Sequence, residues 1–536
     1  MSVAHFPLEW KCMETKWYLS SWARWGSAIL LPPVGLALLW LKPGGGFFRK
    51  LVGTLMIAAI GAAQAAYWFD LHIDLDGSGM RPMLRVGTPE RNYAKLEADR
   101  AEQTAVAPPP LVDVADVMSL AAAQDKKPSK DQHVVEERPS ADREVKAVAP
   151  SSGLYWTDYR GQNRDGIYAQ APILTLWPKQ GLERVWKQPV GGGWASFVVA
   201  NGIAYTIEQR RAKEAVTAYD MRNGRELWAH TYDADFQESM GGPGPRATPT
   251  YHQGFIYSMG ATGELRMLDA KTGKLKWGKN ILSDNDAQNL TWAQSAAPLI
   301  VDDKVIVQPG GKGKSIVAYN KLTGARVWSS LSDQQAYTSP MLLKLAGVRQ
   351  IVTVTAARMV GLKPEDGSLL WEYPWTTEYD VNAAQPIILD STHVFVSAGY
   401  GHGAALVELT KTEDKISAHG VWNNTKMKNK FSSSVLYDGY IYGFDEAILA
   451  CMDAKTGQLK WKGGRYGYGQ LLLADGHLIV LSESGDVVLV KATPESHLEL
   501  AKFAAISGKT WNVPAIDNGM LLVRNTTEMA CFRIGK

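Results

Sequence analysis

The feature that most constrains this chain is a ten-residue phrase, LDAKTGKLKW at 268–277, which returns with small changes from mid-sequence to the end. TAYDMRNGRELW closes at Trp228, VAYNKLTGARVW at Trp328, VGLKPEDGSLLW at Trp371 and ACMDAKTGQLKW at Trp461. Each copy has an alternating apolar strand, a polar turn closed by Gly and a second strand ending in Trp, the pattern of a β-hairpin. The Gly supplies the positive φ of the turn, an Asp or Asn bonds its own backbone across it, and the Trp is too large for one hairpin to bury. Neighbouring copies must therefore cover one another.

A second hairpin alternates with the first: FVVANGIAYTI (197–207), PTYHQGFIYSM (249–259), SVLYDGYIYGF (434–444), LLLADGHLIVL (471–481) and PAIDNGMLLV (514–523). Four short strands in about 40 to 50 residues is the period of a propeller blade. The series Trp186, Trp228, Trp277, Trp328, Trp371, Trp422 and Trp461, followed by the Trp-less LELAKF (498–503), predicts about eight blades. EMACFRI (528–534) lacks a Trp strand, and LERVWKQPV (182–190) is a Trp strand lacking a partner. Pairing those two closes the ring and leaves no open edge.

On these AxDxxTGxxxW copies, over roughly residues 155–536, the chain resembles the pyrrolo-quinoline-quinone-like (PQQ-like) β-propeller repeat proteins. The resemblance implies an all-β, eight-bladed propeller. Such proteins include quinoprotein alcohol dehydrogenases and the non-enzymatic propeller lipoprotein of the outer-membrane β-barrel assembly machinery, so the fold does not set the activity. The dehydrogenases carry a vicinal Cys pair over the cofactor, and this chain has none. Their acidic calcium ligands and catalytic Asp match no position here. The similarity is therefore greater to membrane-anchored, non-enzymatic members.

The chain reads in three parts: a membrane anchor at 1–69, a disordered linker at 70–150 and the propeller at 151–536. Residues 25–41 and 51–69 are apolar stretches of about spanning length, read as a two-helix hairpin with Pro32-Pro33 weakening the first. Lys42, Arg49 and Lys50 lie between them, and Asp70, Asp74 and Asp76 follow the second. Positive charge stays on the cytoplasmic side, which places the propeller outside, facing the periplasm from the inner membrane of a bacterium. The rival reading takes Ala63-Gln64-Ala65 as a signal-peptidase site and releases the domain. Residues 70–150 are poor in aromatics and rich in Ala, Pro, Glu, Asp and Lys, the composition of a tether, with a short helix near 111–123. Within it DLDGSG (74–79) opens like a calcium loop, but Arg85 stands where the bidentate Glu belongs, so it reads as a plain turn.

Function classes narrow from there. With 46% hydrophobic residues and 19 Trp, the 536-residue chain can bury a large core; its net charge of +3 leaves no nucleic-acid footprint. Three Cys are too few for a disulfide scaffold, and Cys451 and Cys531, at the same place in two non-adjacent blades, read as small core residues. GKGKS (311–315) has Gln308 where a phosphate loop needs its first Gly and joins two strands, so nucleotide binding is rejected. CxxCH and HExxH motifs are absent and the ten His are scattered, so neither a metal site nor a catalytic residue is assigned.

Aligned blades place Trp194, Arg246, Ser295, Tyr337, Ala383, Phe431, Tyr468 and Trp511 at the start of the innermost strands, on one face of the disc. Two residues later come Ser196, Thr248, Ala297, Ser339, Gln385, Ser433, Gln470 and Val513, with Trp292, Asn382, Lys430, Arg465, Lys509 and Asn512 beside them. One outcome is a set of aromatic wedges around a water-filled shaft. The other is a site for a flat or anionic ligand, stacked on the rings and paired to Arg246, Arg465 and Lys430 or Lys509. The expected function is a membrane-tethered scaffold that binds a protein or an anionic ligand. The alternative is a quinoprotein oxidoreductase with PQQ as cofactor, such as an alcohol dehydrogenase. A hydrolase or lyase acting on surface polymer would need paired carboxylates at the mouth, where bases, aromatics and amides dominate.

The segment YWTDYRGQNRDG (155–166) precedes the first blade. It is expected to pack on one face of the disc, with no chemistry assigned.

Overall fold

The computed structural model describes residues 21–41, 46–69, 71–105, 156–413 and 415–536. It divides into two compact units, one of residues 1–74 with 82–91 and one of 75–81 with 92–536.

In the first unit the apolar stretches do not form two equal spans. Ser21–Leu30 and Pro32–Leu41 are separate ten-residue helices, because Pro33 has no N–H to donate and two adjacent prolines hold the preceding residues out of a continuous helix. The chain folds back at Leu31, so closely that a methyl on Gly35 would stand 2.4 Å from the Ala28 Cα. This replaces the expected span at 25–41. The second stretch is the 22-residue helix Phe47–Trp68, the one helix among the described residues long and apolar enough to cross a membrane. At 1.5 Å per residue it reaches about 33 Å, the thickness of a hydrocarbon core. Exposed Phe47 and Phe48 at one end and Tyr67, Trp68 and Phe69 at the other stand where interfacial aromatics belong.

Eight sheets make the second unit a propeller. Numbered along the ring, blades 1 to 7 occupy 198–233, 250–280, 299–330, 341–374, 387–424, 435–465 and 470–504. Blade 8 takes three strands from 515–533 and its outermost strand, Glu183–Pro189, from the start of the ring. Glu528 faces Pro189, Met529 faces Gln188 and Cys531 faces Trp186, which is the closure expected from the sequence.

The repeated Trp is a docking plug between blades. Trp186 Nε1 donates to Met221 O of the next blade (2.9 Å), Trp228 to Ala270 O (3.0 Å), Trp277 to Lys321 O (3.0 Å), Trp328 to Pro364 O (3.1 Å) and Trp461 to Thr493 O (2.8 Å). In the first four the acceptor follows the first residue of the turn. Gly273, at φ +68°, lies flat under Trp228, and a methyl there would come within 2.5 Å of the ring. The turn Gly is thus demanded twice, by backbone conformation and by the neighbour's indole.

Two departures explain the irregular copies. Blade 5 lengthens its outer hairpin to Gly403–Thr412 and Lys415–Asn424 without a Thr-Gly turn, and Trp371 instead bonds Gln350 Oε1 of its own blade. In blade 7, Ala501 sits opposite Leu489 where the others carry Trp. Its neighbour, blade 8, has no turn between its third and fourth strands because the fourth comes from elsewhere in the chain. With no turn to dock on, the Trp has no role. Cys451 and Cys531 each face the docking Trp of their own blade, buried and free as thiols, in blades separated by a third.

Residues 156–168 close one end of the central channel. Trp156 is fully buried, Val199 N–H donates to Trp156 O and Tyr251 N–H to Thr157 O, and Ile167–Tyr168 pairs parallel to Leu473 and Ala474. Arg164 donates to Ala297 O (3.2 Å), Pro298 O (2.5 Å) and Pro340 O (2.8 Å), and to the Asp158 carboxylate (2.9 Å). Arg160 donates to Ser433 O, Leu471 O and Ser434 O. Two buried guanidiniums thereby join the inner strands of blades 3, 4, 6 and 7.

Residues 71–105, part of the stretch whose composition reads as a tether, contain a hairpin, Leu71–Leu75 with Pro82–Val86, and the helix Pro89–Ala105. Thr88 Oγ1 accepts Arg91 N–H, and Pro89 stands at the first helical position, where its missing N–H costs nothing. From residue 92 on, the helix lies along the seam of blades 8 and 1: Tyr93 and Leu96 are buried, and Arg100 joins Pro189 O to Glu226. Alanine, glutamate and arginine are helix formers as well as tether residues, so composition alone does not separate the two. The short helix expected near 111–123, and the rest of 106–155, lie outside the described residues.

Candidate functional site

The other end of the channel opens into a cavity of about 250 Å³. Of the residues singled out from sequence, Trp194, Arg246, Trp292, Tyr337, Lys430, Gln470 and Trp511 line it, with Ser295, Ala383, Phe431, Ser339 and Val513. Tyr159, from the plug segment, forms its floor.

Several sequence candidates serve the ring instead. Arg465 ends the outermost strand of blade 6, exposed and facing Ile448, and is not among the lining residues. Alignment by sequence alone does not distinguish an outermost-strand terminus from the innermost strand that follows it. Asn382 is buried, donating to Thr355 O and Trp375 O, and Asn512 donates to Gly193 O and Ala195 O. Gln385 belongs to a belt that runs between inner strands. Ser196 N–H donates to Thr248 Oγ1, Ala297 N–H to Ser339 Oγ, Ser339 N–H to Gln385 Oε1, and Gln385 N–H to Ser433 Oγ. The small polar row satisfies backbone groups of adjacent blades, which is why it recurs.

The expected cationic mouth is largely neutralised. Arg246 is buried over the Phe236 ring at 4.6 Å, with Glu238 at 3.4 Å and Gly242 O at 3.0 Å, and burial pushes its guanidinium down to about 10. Lys430 stands over the Tyr400 and Tyr468 rings at 4.6 and 4.9 Å, and burial lowers its ammonium from the ordinary value. The Glu483 carboxylate accepts Trp511 Nε1 (2.8 Å) and Tyr468 N–H (3.2 Å). Beside it sits the tip of the 71–86 hairpin. Asp76, Gly77, Ser78 and Gly79 line the cavity, and Tyr468 and Lys509 touch this tip rather than the open space. Burial works to raise the Asp76 carboxyl, but bonds from Ser78 and the Arg81 N–H hold it below the usual range.

Sequence alignment of first strands missed Glu238, Tyr400 and Glu483. Tyr400 and Glu483 stand on loops joining second and third strands, and Glu238 on the connection from blade 1 to blade 2. These loops emerge on the same face as the first-strand starts, which is the signal that could have found them.

The residues present do not fit a PQQ and calcium pair. Sandwiching a flat ring requires two walls about 7 Å apart, twice the contact distance. Trp194 and Trp511 lie against each other at 4.8 Å, and Phe431 against Trp511 at 4.7 Å. Among the described residues no group of three or more His, Cys, Asp or Glu could hold a metal ion.

A family profile described as outer membrane protein assembly factor BamB matches residues 212–463. BamB of Burkholderia pseudomallei is 21% identical over 371 residues, 60% of this chain and 92% of that one. The 1-butanol dehydrogenase (cytochrome c) of Thauera butanivorans is 28% identical over 158 residues, 28% of this chain; the chain spans about a fifth of its length, 22%. Among solved structures, BamB from Moraxella catarrhalis superposes with a TM-score of 0.48 at 14% identity, covering 66% of this chain and 97% of that one.

Proposed function

We propose that this chain, whose repeats and eight blades fit the PQQ-like β-propeller family, is a membrane-tethered scaffold that holds a protein partner on the extracytoplasmic side. The observation that carries this reading is that the chain occupies both ends of its own channel. Arg160 and Arg164 bridge the inner strands at one end and the tip around Gly77 stands in the other. A quinoprotein needs that space, with parted rings and carboxylate oxygens for a hard cation. The relatives named BamB, an assembly factor, support the protein-binding class. Phe47–Trp68 supplies the anchor, with Arg49 and Lys50 at its cytoplasmic end and the chain after Phe69 outside.

The test is reconstitution of the intact chain with PQQ and calcium, followed by an absorbance scan and dye-linked alcohol oxidation. We expect neither a bound quinone nor turnover, together with a stoichiometric protein crosslinked to the propeller in membranes. Stoichiometric quinone with turnover would establish the oxidoreductase alternative in its place.

A further inference from the structure

The way the mouth holds the hairpin tip describes a ligand. Gly77 N–H donates to Glu483 Oε1 at 2.8 Å, Lys430 Nζ donates to Gly77 O at 2.6 Å, and Lys509 Nζ donates to Leu75 O at 3.0 Å. All three contacts are to main chain, which any polypeptide presents. The Asp76 carboxylate turns inward, accepting from Ser78 N–H at 2.9 Å and Arg81 N–H at 3.3 Å. Asp76 N–H donates to Arg81 O, closing a tight turn. The mouth itself demands glycine at 77, which is buried face-on to Tyr468, where a methyl would stand 2.5 Å from the ring, while Gly79, at φ +73°, is demanded by the turn's own backbone.

The tip does not exhaust the site. Gln470, 1% exposed, lines the cavity below with Oε1 unpartnered, and so does Ser295 with its Oγ. Unpartnered buried polar atoms beside open volume mark a place where a ligand's own groups belong.

We propose that the mouth is a receptor for a glycine-bearing β-turn of polypeptide, filled here by the chain's own residues 75–81 and open to the turn of a partner protein once that tip leaves. This rests on the scaffold reading and gives it a site. Lys430, Lys509 and Glu483 read the turn's backbone, Tyr468 selects glycine, and Gln470 with Ser295 reads what the turn projects into the cavity. A tethered tip competes at an effective concentration of about millimolar, so the mouth is closed to free turns until the tip is displaced.

The test uses the full chain, the variant Gly77→Val and a fluorescent peptide LDGSGMR. Amide exchange at 75–81 reports whether the tip is seated. We expect Gly77→Val to release the tip and to bind the peptide at least tenfold more tightly than the unsubstituted chain. Adding Lys430→Met with Glu483→Gln should reverse that gain, and LDVSGMR should not bind. A tip that stays protected in Gly77→Val, a released tip with no gain in peptide affinity, or equal binding of LDVSGMR would each overturn the proposal. Failure here with a protein still crosslinked to the propeller removes this site and leaves the scaffold; quinone turnover removes the scaffold whatever the peptide does.

Discussion

The two ends of the channel are closed by the same chemistry run in opposite directions. At the plug, the inserted segment adds side chains to its own backbone pairing with blades 1, 2 and 7: Arg160 and Arg164 reach carbonyls of blades 3, 4, 6 and 7. At the mouth, the ring contributes side chains and the inserted tip contributes backbone, through Lys430, Lys509 and Glu483. Side chains that satisfy otherwise orphaned carbonyls cannot be exchanged for another peptide, so the plug is permanent. A backbone turn can be exchanged for any other backbone turn with the same glycine, so the mouth is replaceable. Both ends keep open volume, about 640 Å³ beside Arg160 and Arg164 at the plug and about 250 Å³ at the mouth.

Arg164 is the plug residue whose loss costs most. Replacing it with Ala leaves Ala297 O and Pro340 O without their donor and Asp158 without its ion pair, a loss of about 3–5 kcal/mol. Chemical denaturation should show it as a lowered midpoint, and Arg164→Lys should recover only part, because a lysine cannot span the fork. An unchanged midpoint would make the plug no more permanent than the tip.

A pH series sharpens the same contrast. Asp517 of blade 8 accepts the Trp156 N–H at the plug end, and burial raises its carboxyl to about 6. Because that value lies above the 3.8 of the free side chain, the folded ring holds the proton more tightly than the unfolded chain. The resulting stability is complete below about pH 4 and is lost as pH rises through 6. The unsubstituted chain should therefore lose on the order of 2 kcal/mol between pH 4 and pH 7 from this group, a term that Asp517→Asn removes. Denaturation at both pH values measures it, and parallel curves for the two proteins would refute the assignment.

The smallest effect belongs to the mouth. Lys509→Ala removes one donor to Leu75 O in a partly exposed position and should change global stability by less than about 1 kcal/mol. Amide exchange within 75–81 should nonetheless accelerate severalfold while exchange at 156–168 stays unchanged. Equal acceleration at both ends would merge what the structure separates.

Legibility follows the same divide. The blade count, the Trp docking and the pairing of 182–190 with 528–534 were readable, since each is a local pattern repeated until its partner is implied. The helix Pro89–Ala105 was signalled by Thr88-Pro89-Glu90 yet hidden by a tether-like composition. Arg465 was misplaced because a residue's position relative to a strand's end does not say whether it faces the channel or solvent. Gln385, Asn382 and Asn512 looked like ligand groups because a side chain that satisfies a neighbouring blade's backbone has the same chemistry as one that satisfies a ligand.

By itself the amino-acid sequence determined the blades and their closure, because strand alternation, turn glycines and a Trp that no single hairpin can bury are short-range demands. Why the seventh blade can do without its Trp, how Arg160 and Arg164 are used, and that Gly77 lies against Tyr468 nearly 400 positions away were decided only by the closed ring. Those contacts join segments far apart in the chain through backbone groups, and a backbone N–H or carbonyl is the same at every residue and leaves no mark in the order of side chains.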